Sequence, residues 1–354
     1  MSWDLLVDRA DLTRTAIVQV PTPELRQGQA LVRMDRVGMT ANNVTYAVFG
    51  DAMHYWDFFP AEPPWGRVPL WGFGEVEAST VADVAVGTRV YGYFPTSSHL
   101  IVQPDRVTPR GFRDASPHRQ HLPSPYNGLT TTTHDPAYDA NREDLQVLYR
   151  PLFMTSFMLA DFLEDSAFFG AGSVVVSSAS SKTSYGTAFL LQGKVRTVGL
   201  TSPGNLAFTQ GLGCYDEVLT YDQASSVGKD KTVYVDVAGD PVLRRTVHEC
   251  LGDDLVHSAV VGAAHHDAAP DAGGQLPGAR PTFFFAPNQM CKRYEDWGPD
   301  GVEDAHAAAW KRFVPLVEGW VDVVVGTGPE GLRADWLETL AGASGPRTGH
   351  VLQL

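Results

Sequence analysis

A turn rich in hydroxyl side chains could bind an anion. The stretch VVVSSASSKTSYGTAFLL (174–191) opens as a buried strand and closes as a helix, and its turn holds Ser178, Ser180, Ser181, Lys182, Thr183 and Ser184. Backbone N–H groups converge at a helix N-terminus, where the helix dipole also favours negative charge. The hydroxyls add donors and Lys182 adds a positive charge, so we predict a phosphate site. The other interpretation is that Ser180 or Ser181 only caps the helix.

The next strand indicates which nucleotide such a turn would bind. The strand VRTVGL runs into Thr201, Ser202 and Asn205 without a carboxylate. In dinucleotide-binding folds an Asp or Glu here bonds the ribose 2′-hydroxyl of NAD, whereas a neutral or basic site accepts the 2′-phosphate of NADP. We therefore predict NADP(H) as the cofactor. The turn lacks both glycines of the GxxxxGK[ST] spacing, which excludes a P-loop.

The composition excludes several classes of partner. The 354 residues carry a net charge of -14, which disfavours nucleic acid and anionic membranes as partners. The first residues, MSWDLLVDRADLTRT, show neither the apolar core of a secretion signal nor a membrane span, and we expect a cytoplasmic protein. Three cysteines, Cys214, Cys250 and Cys291, are too few for a disulfide framework or a four-cysteine zinc site.

The elements that must position the turn fall into two groups. From 16 to 107, short alternating strands broken by Pro, Gly and Asp predict an antiparallel, barrel-like β domain. The stretch 109–141 has little apolar periodicity, and we predict an irregular insert that acts as a lid. After 152, apolar strands alternate with helices, which predicts βα units and a mainly parallel sheet. Residues 320–354 return to strand-like pieces, so the first domain is expected to be discontinuous.

The order of these pieces resembles the medium-chain dehydrogenase/reductase superfamily over nearly the whole chain. The segments that carry the resemblance are QALVRMDRVGMTANNVTYAVFGD (29–51), PLWGFGEVEAS (69–79), VADVAVGTRVYGYFPTSSHLIVQPDRV (81–107), GSVVVSSASSKTSYGTAFLLQGKVRTVGLTS (172–202) and LGCYDEVLTYD (212–222). Within the superfamily the chain is similar to a domain-of-unknown-function family, number 2855. The resemblance implies an α/β fold with a GroES-like β-barrel catalytic domain (1–150 and 318–354, with the insert at about 109–141) and a Rossmann doubly wound parallel-sheet domain (151–317).

The resemblance also bears on zinc. Thr40 stands where zinc-dependent relatives place their first cysteine ligand, and Phe73 stands where they place a histidine. Residues 151–155, where a third ligand would lie, contain no Cys, His, Asp or Glu. Zinc prefers thiolate, imidazole or carboxylate ligands. We therefore expect no metal at this site.

Without a metal, hydrogen-bond donors must stabilise the developing oxyanion, and a side chain must supply the proton. Asn42 matches the position of a relay hydroxyl in zinc enzymes and would orient the substrate, unless Asn42 and Asn43 only tie the loop together. Tyr46 or Tyr55 is the candidate proton donor. The resemblance further places Tyr221 near the adenosine phosphate of the cofactor, and Val261, Gly262 and Phe285 near the nicotinamide ring.

The function we expect is zinc-independent, NADP(H)-dependent reduction of an enone, quinone or ketone by hydride transfer. The substrate would be a small carbonyl compound of aromatic or polyketide-like character. A non-redox lyase (retro-aldol type) or hydrolase on the same fold is the alternative, because fold does not fix function. The segment TFFF (282–285) is either a nicotinamide contact or an edge strand that pairs two subunits into a homodimer.

Overall fold

The chain folds into two compact units. The structure, a computed structural model, describes residues 2–228, 230–261 and 275–354. The first unit comprises Met1–Pro151 and Val317–Leu354, and the second comprises Leu152–Leu316. Within the described ranges, no helix is long and apolar enough to cross a membrane.

The strands are numbered along the chain. The first ten are β1 (Ser2–Asp8), β2 (Thr15–Val20), β3 (Ala30–Met39), β4 (Trp65–Gly66), β5 (Leu70–Ser79), β6 (Arg89–Phe94), β7 (His99–Val102), β8 (Pro104–Thr108), β9 (Gly111–Asp114) and β10 (Gly128–Thr131). The others are β11 (Ser173–Val176), β12 (Arg196–Thr201), β13 (Glu217–Thr220), β14 (Thr232–Asp236), β15 (Leu255–Val260), β16 (Pro281–Phe283), β17 (Asp322–Thr327) and β18 (Thr348–Gln353). The α-helices are α1 (Ala41–Val48), α2 (Glu143–Asp165), α3 (Lys182–Leu191), α4 (Leu206–Gly211), α5 (Pro241–Leu251), α6 (Ala286–Val317) and α7 (Gly328–Leu340).

The first unit is built on a nine-stranded sheet. Its order is β17-β18-β3-β5-β6-β10-β9-β8, with β7 also paired to β3, and every pair except β17–β18 is antiparallel. A smaller sheet has the order β2-β1-β4. Alternate side chains of the barrel strands fill the core, as period-two patterning predicts: Val32, Val76, Val90, Phe94 and Val102.

The second unit contains a six-stranded parallel sheet in the order β13-β12-β11-β14-β15-β16. Counted along the chain from β11, this order is 3-2-1-4-5-6, that of the doubly wound dinucleotide-binding fold. Helix α3 packs closely on α2, since a Cβ at Gly186 would lie 2.8 Å from the Ser156 Oγ. The expected α/β fold class is confirmed.

The stretch 109–141, predicted to be irregular, contains two short strands that the sequence did not predict. Strands β9 and β10 pair with each other and link β8 to β6. Each has only four residues, too few for a periodic signal to stand out. Asp114 at the end of β9 pairs with Arg119, which lies between β9 and β10, and their side chains are each 1% exposed. A buried ion pair of this kind adds no apolar periodicity to the sequence.

Candidate functional site

The hydroxyl-rich turn lies at the carboxyl end of β11, between β12 and β14. This is the position where the strand order reverses and where ligands of open α/β sheets bind. Ser178 occupies the left-handed region with φ of 50°, which a non-glycine residue adopts at a cost. The turn therefore keeps a backbone shape that glycine would adopt more easily, with a serine in its place.

Three of the serines hold the turn together. Ser181 is the N-cap of α3: its Oγ accepts from the Ser184 N–H at 3.3 Å and donates to the Ser184 Oγ at 2.9 Å. The Ser184 hydroxyl in turn donates to the Ser177 carbonyl oxygen at 2.9 Å. The capping interpretation thus describes Ser181, and Ser184 is fully buried beneath it.

Ser177 ties the turn to the neighbouring strand. Its Oγ donates to the Asp236 carboxylate at 3.1 Å and accepts from the N–H groups of Val237 and Ala238 at 3.0 Å. The other Asp236 oxygen accepts from the Arg244 Nε at 2.7 Å, in a pair whose carboxylate is fully buried. The ends of β11 and β14 are therefore fixed to each other, which pre-organises the turn.

The remaining groups of the turn lie beside two polar partners. The Asn205 amide donates to the Ser180 Oγ at 3.0 Å, and Ser178 hydrogen-bonds to the Tyr221 hydroxyl. Thr201 is buried, and its hydroxyl has no hydrogen-bond partner within the described part of the chain. Ser202 precedes the short helix Pro203–Asn205, and Thr183 is the second residue of α3. Sequence-predicted residues from three βα connections thus meet at one sheet edge.

Lys182 begins helix α3, at its positive end. Burial lowers the pKa of Lys182 to about 8. An anion placed at this helix N-terminus would favour the ammonium form and reverse part of that shift. The lysine is suited to respond to a phosphate.

The residues predicted near the nicotinamide lie at the ends of β15 and β16. The Val261 N–H donates to the Asp236 carbonyl oxygen at 2.9 Å, and Phe285 stacks on Phe283 with ring centroids 6.2 Å apart. Gly262 lies outside the described residues.

In the first unit, helix α1 presents Asn42 and Tyr46 one turn apart. The Asn42 amide donates to the Tyr46 hydroxyl at 2.7 Å, and the Trp71 indole N–H donates to it at 3.1 Å. Asn43 has a different role: its Oδ1 accepts from the Thr40 N–H at 2.7 Å and its amide donates to the Pro69 carbonyl at 2.8 Å. Asn43 ties the loop together, whereas Asn42 is directed at the phenol.

The Tyr46 phenol is in a protonated state suited to an acid. Burial raises its pKa, with a further contribution from Tyr55. Because two N–H groups already donate to its oxygen, the O–H proton must point elsewhere, and the same two donors would stabilise the phenolate once the proton has left. Burial also raises the pKa of Tyr55.

Tyr46 and Tyr55 lie in a cluster of aromatic side chains, here called the tyrosine cluster: Tyr46, Tyr55, Phe58, Trp71, Tyr93 and Tyr126. Neighbouring rings meet at centroid distances between 4.7 and 6.5 Å, mostly tilted or edge-on. Such geometries are favourable for aromatic pairs. Most of these aromatics therefore pack within the first unit, around the Tyr46 hydroxyl.

Arg119 supports this cluster from the stretch 109–141. Its guanidinium donates to the Tyr126 carbonyl, the Asn127 side chain and Asp114 at 2.8, 2.9 and 3.0 Å. It also lies 5.3 Å from the ring centroid of Phe58. Sequence reasoning missed Arg119, Tyr126 and Tyr93; only the alternation of RVYGYF, which puts Tyr91 and Tyr93 on one face of β6, was a usable signal.

Thr40 and Phe73, the two residues discussed above as replacements for zinc ligands, have structural roles in this chain. Thr40 precedes α1 as its N-cap. Phe73 is fully buried on β5, with the Arg89 guanidinium 5.3 Å from its ring centroid. Arg89 in turn pairs with Asp35 and Glu143 at 2.6 and 2.7 Å. The Phe73 ring therefore packs beside an arginine whose charge is already paired with two carboxylates.

A family model matches most of the chain. The model of the family described as "Protein of unknown function (DUF2855)" matches residues 37–344. A search of curated proteins gives no match.

Three solved structures match nearly the whole chain. CurA in complex with NADPH from Vibrio vulnificus is 16% identical with a TM-score of 0.62, covering 100% of this chain and 99% of its own. The quinone oxidoreductase from Thermus thermophilus, also solved with NADPH, is 15% identical with a TM-score of 0.57, at 99% and 100% coverage. A quinone oxidoreductase from Pseudomonas syringae pv. Tomato is 16% identical with a TM-score of 0.61, at 100% coverage of both chains. Such identities establish a shared fold.

Proposed function

Because the chain belongs to the family described as "Protein of unknown function (DUF2855)" and has the medium-chain dehydrogenase/reductase fold, we propose that it is a zinc-independent, NADP(H)-dependent oxidoreductase. It would reduce an enone, quinone or ketone by hydride transfer. The observation that carries this proposal is the turn of hydroxyls and Lys182 at the reversal point of the 3-2-1-4-5-6 sheet. Two similar enzymes solved with NADPH support the choice of cofactor.

In this proposal, different residues of the second unit bind different parts of the cofactor. The first turn of α3, with Lys182 and Thr183, would hold the pyrophosphate at a helix N-terminus. Ser178, Ser180, Thr201, Ser202, Asn205 and Tyr221 would surround the adenosine ribose and its 2′-phosphate with neutral donors. The Ser181 and Ser184 hydroxyls would act indirectly, by fixing the turn. Val261, Gly262 and Phe285 would meet the nicotinamide, which supplies a hydride when bound.

The first unit would supply the proton. Tyr46 would donate it to the substrate oxygen, and the Asn42 amide and Trp71 indole would stabilise the phenolate that remains. Tyr55 and the rest of the tyrosine cluster would exclude water and accept a flat, aromatic or polyketide-like carbonyl compound. Thr40 and Phe73 offer no zinc ligand, which supports a reaction without that metal.

We also propose a homodimer joined through β16. This strand is the edge of the six-stranded sheet, and Phe283 on it is 56% exposed. Among the described residues β16 has a neighbouring strand on one side only, and an edge strand with an exposed aromatic residue favours pairing with another strand.

The test of the proposed function is cofactor binding followed by turnover. Titration of the protein with NADPH and with NADH, followed by fluorescence, should show tighter binding of NADPH. A panel of quinones, enones and ketones should then oxidise bound NADPH, followed by its absorbance. The proposal is contradicted if neither nucleotide binds at about millimolar concentration.

A further inference from the structure

A serine, a histidine and an aspartate meet in the C-terminal part of the first unit, in residues to which the proposed function gives no role. The Ser344 Oγ lies 3.0 Å from the His350 Nε2, and the Asp335 Oδ1 lies 3.3 Å from the His350 Nδ1. The histidine thus has a hydroxyl at one ring nitrogen and a carboxylate at the other. This is the arrangement in which an imidazole acts as a base on a serine.

Rigid elements hold two members of this group, here called the Ser344 triad. His350 is buried on β18, where it pairs in register with Val324 of β17 and Met39 of β3. Asp335 is buried on α7, which ends at Leu340. Ser344 follows in the turn after that helix and is half-buried. The base and its orienting carboxylate are fixed, whereas the serine is accessible.

Asp335 is a buried carboxyl group beside the imidazole. Burial raises the pKa of Asp335, while His350 opposes that shift. Neither the His350 Nδ1 nor the Asp335 Oδ2 has a hydrogen-bond partner within the described part of the chain. With its proton on Nδ1, which faces the Asp335 Oδ1 at 3.3 Å, His350 would leave Nε2 to accept from the serine in place of Glu338. Catalytic hydrogen bonds of this kind are often long before a substrate binds.

Two further features complete the surroundings. Within the described residues, no backbone hydrogen bond is donated by the N–H groups of Ser344 and Gly345, and both are available to an oxyanion formed at Ser344. Glu338 competes for the serine: its Oε1 lies 3.2 Å from the Ser344 Oγ and 3.3 Å from the His350 Nε2. Glu338 is half-exposed and can swing away, unlike Asp335.

We propose that the Ser344 triad is a second active site, which hydrolyses carboxylic esters. The Ser344 Oγ attacks the acyl carbon and its proton passes to the His350 Nε2. The C–O bond of the ester breaks, and the leaving alcohol takes that proton. Water then attacks the acyl-serine in the same way and releases the carboxylic acid and Ser344. This reaction needs no nucleotide, so the ester hydrolysis can be tested independently of the proposed oxidoreductase activity.

The test is labelling of the full-length protein with a fluorophosphonate, which reacts with activated serines. Mass spectrometry should find the label on Ser344, and hydrolysis of p-nitrophenyl acetate should accompany it. Ser344→Ala should abolish the label and lower hydrolysis at least about tenfold. The exposed Ser225, replaced in Ser225→Ala, is the control and should change neither. Labelling on other residues only, or unchanged hydrolysis in Ser344→Ala, would overturn the proposal.

A second readout separates catalysis from a structural role. Removal of the competing carboxylate in Glu338→Ala should raise the labelling rate several-fold, because the Ser344 hydroxyl then has the His350 Nε2 as its nearby acceptor. A labelling rate that is unchanged or falls in Glu338→Ala would show that the triad is only a structural link.

Discussion

At the scale of single residues, the hydroxyl side chains in the hydroxyl-rich turn divide into two kinds. Ser177, Ser181 and Ser184 bond to one another and to β14, whereas Ser178 and Ser180 lie against Tyr221 and Asn205. The first kind sets the shape of the turn, and the second kind is positioned to meet a ligand. Lys182 is the residue that brings charge to this arrangement.

NADPH affinity should depend on pH through Lys182. Burial lowers the pKa of Lys182 to about 8, below its unfolded value, so the free protein loses this proton as the pH rises through about 8. A bound phosphate favours the ammonium form, so binding takes up a proton above that pH. The dissociation constant should be flat below about pH 7 and should rise above about pH 8, by at most about tenfold per unit.

The matched variants are Lys182→Ala and Lys182→Arg. Loss of a charge-assisted contact should weaken NADPH binding at pH 7 by about 1–3 kcal/mol in Lys182→Ala and should remove the pH dependence. Lys182→Arg keeps the charge above pH 8 and should bind with little dependence on pH. Calorimetric titration measures both; a pH dependence that persists in Lys182→Ala would show that another group is responsible.

Tyr46 and Tyr55 should differ in their effect on turnover. Tyr46→Phe removes the phenol that receives two N–H donors, and kcat should fall by about 10²–10⁴ with NADPH affinity unchanged. Tyr55→Phe keeps the ring packing and should lower kcat less than about tenfold. Stopped-flow oxidation of NADPH with a substrate found in the panel measures the step; equal losses in both variants would contradict the assignment.

At the scale of elements, the sequence predicts contiguous structure better than it predicts pairing between distant strands. The strand, turn and helix of 174–191 are contiguous, so the order of residue types was enough to predict that a hydroxyl-rich turn joins β11 to α3. The tyrosine cluster draws Tyr46 from α1, Tyr93 from β6 and Tyr126 from the segment before β10. The pairing of β6 with β10 brings the segments of Tyr93 and Tyr126 together, and β10, with four residues, is too short for its pairing to be predicted from alternation. The sequence therefore did not indicate that Tyr93 and Tyr126 join Tyr46.

The segment between β9 and β10 should be stabilised by its buried ion pair. Arg119→Met leaves the Asp114 carboxylate uncompensated and should lower the free energy of unfolding by about 3–5 kcal/mol. Arg113→Met breaks the pair with Asp105, whose side chains are 29% and 36% exposed, and should cost less than about 1 kcal/mol. Urea unfolding measures both, and the double variant Arg119→Met with Asp114→Asn should recover part of the loss. Equal costs for the two arginines would contradict the buried pair's role.

At the scale of the whole molecule, the sheet edges decide how copies could associate. The six-stranded sheet ends in β13 on one side and β16 on the other. On β16, Phe283 is exposed beside Phe285, which stacks on it.

Phe283→Lys should convert the proposed dimer into a monomer, because a charge on each copy of β16 repels the other. Val242, which is 74% exposed on α5, provides the control: Val242→Lys adds the same charge elsewhere and should leave the dimer intact. Analytical ultracentrifugation distinguishes the two masses. A monomeric wild-type protein, or a dimer in Phe283→Lys, would contradict pairing through β16.

The position of β18 has a consequence for synthesis. Val351 pairs with Gly38 across the sheet that β18 completes, yet every residue of the second unit is translated between them. At about 5–20 residues per second, the ribosome synthesises β18 roughly 15–60 seconds after β3, the strand with which it pairs. The second unit can fold within that interval, so the nascent chain would complete its later unit first. Until then the early strands depend on being shielded from other chains, and a chaperone that recognises open strand edges would meet this protein before its release.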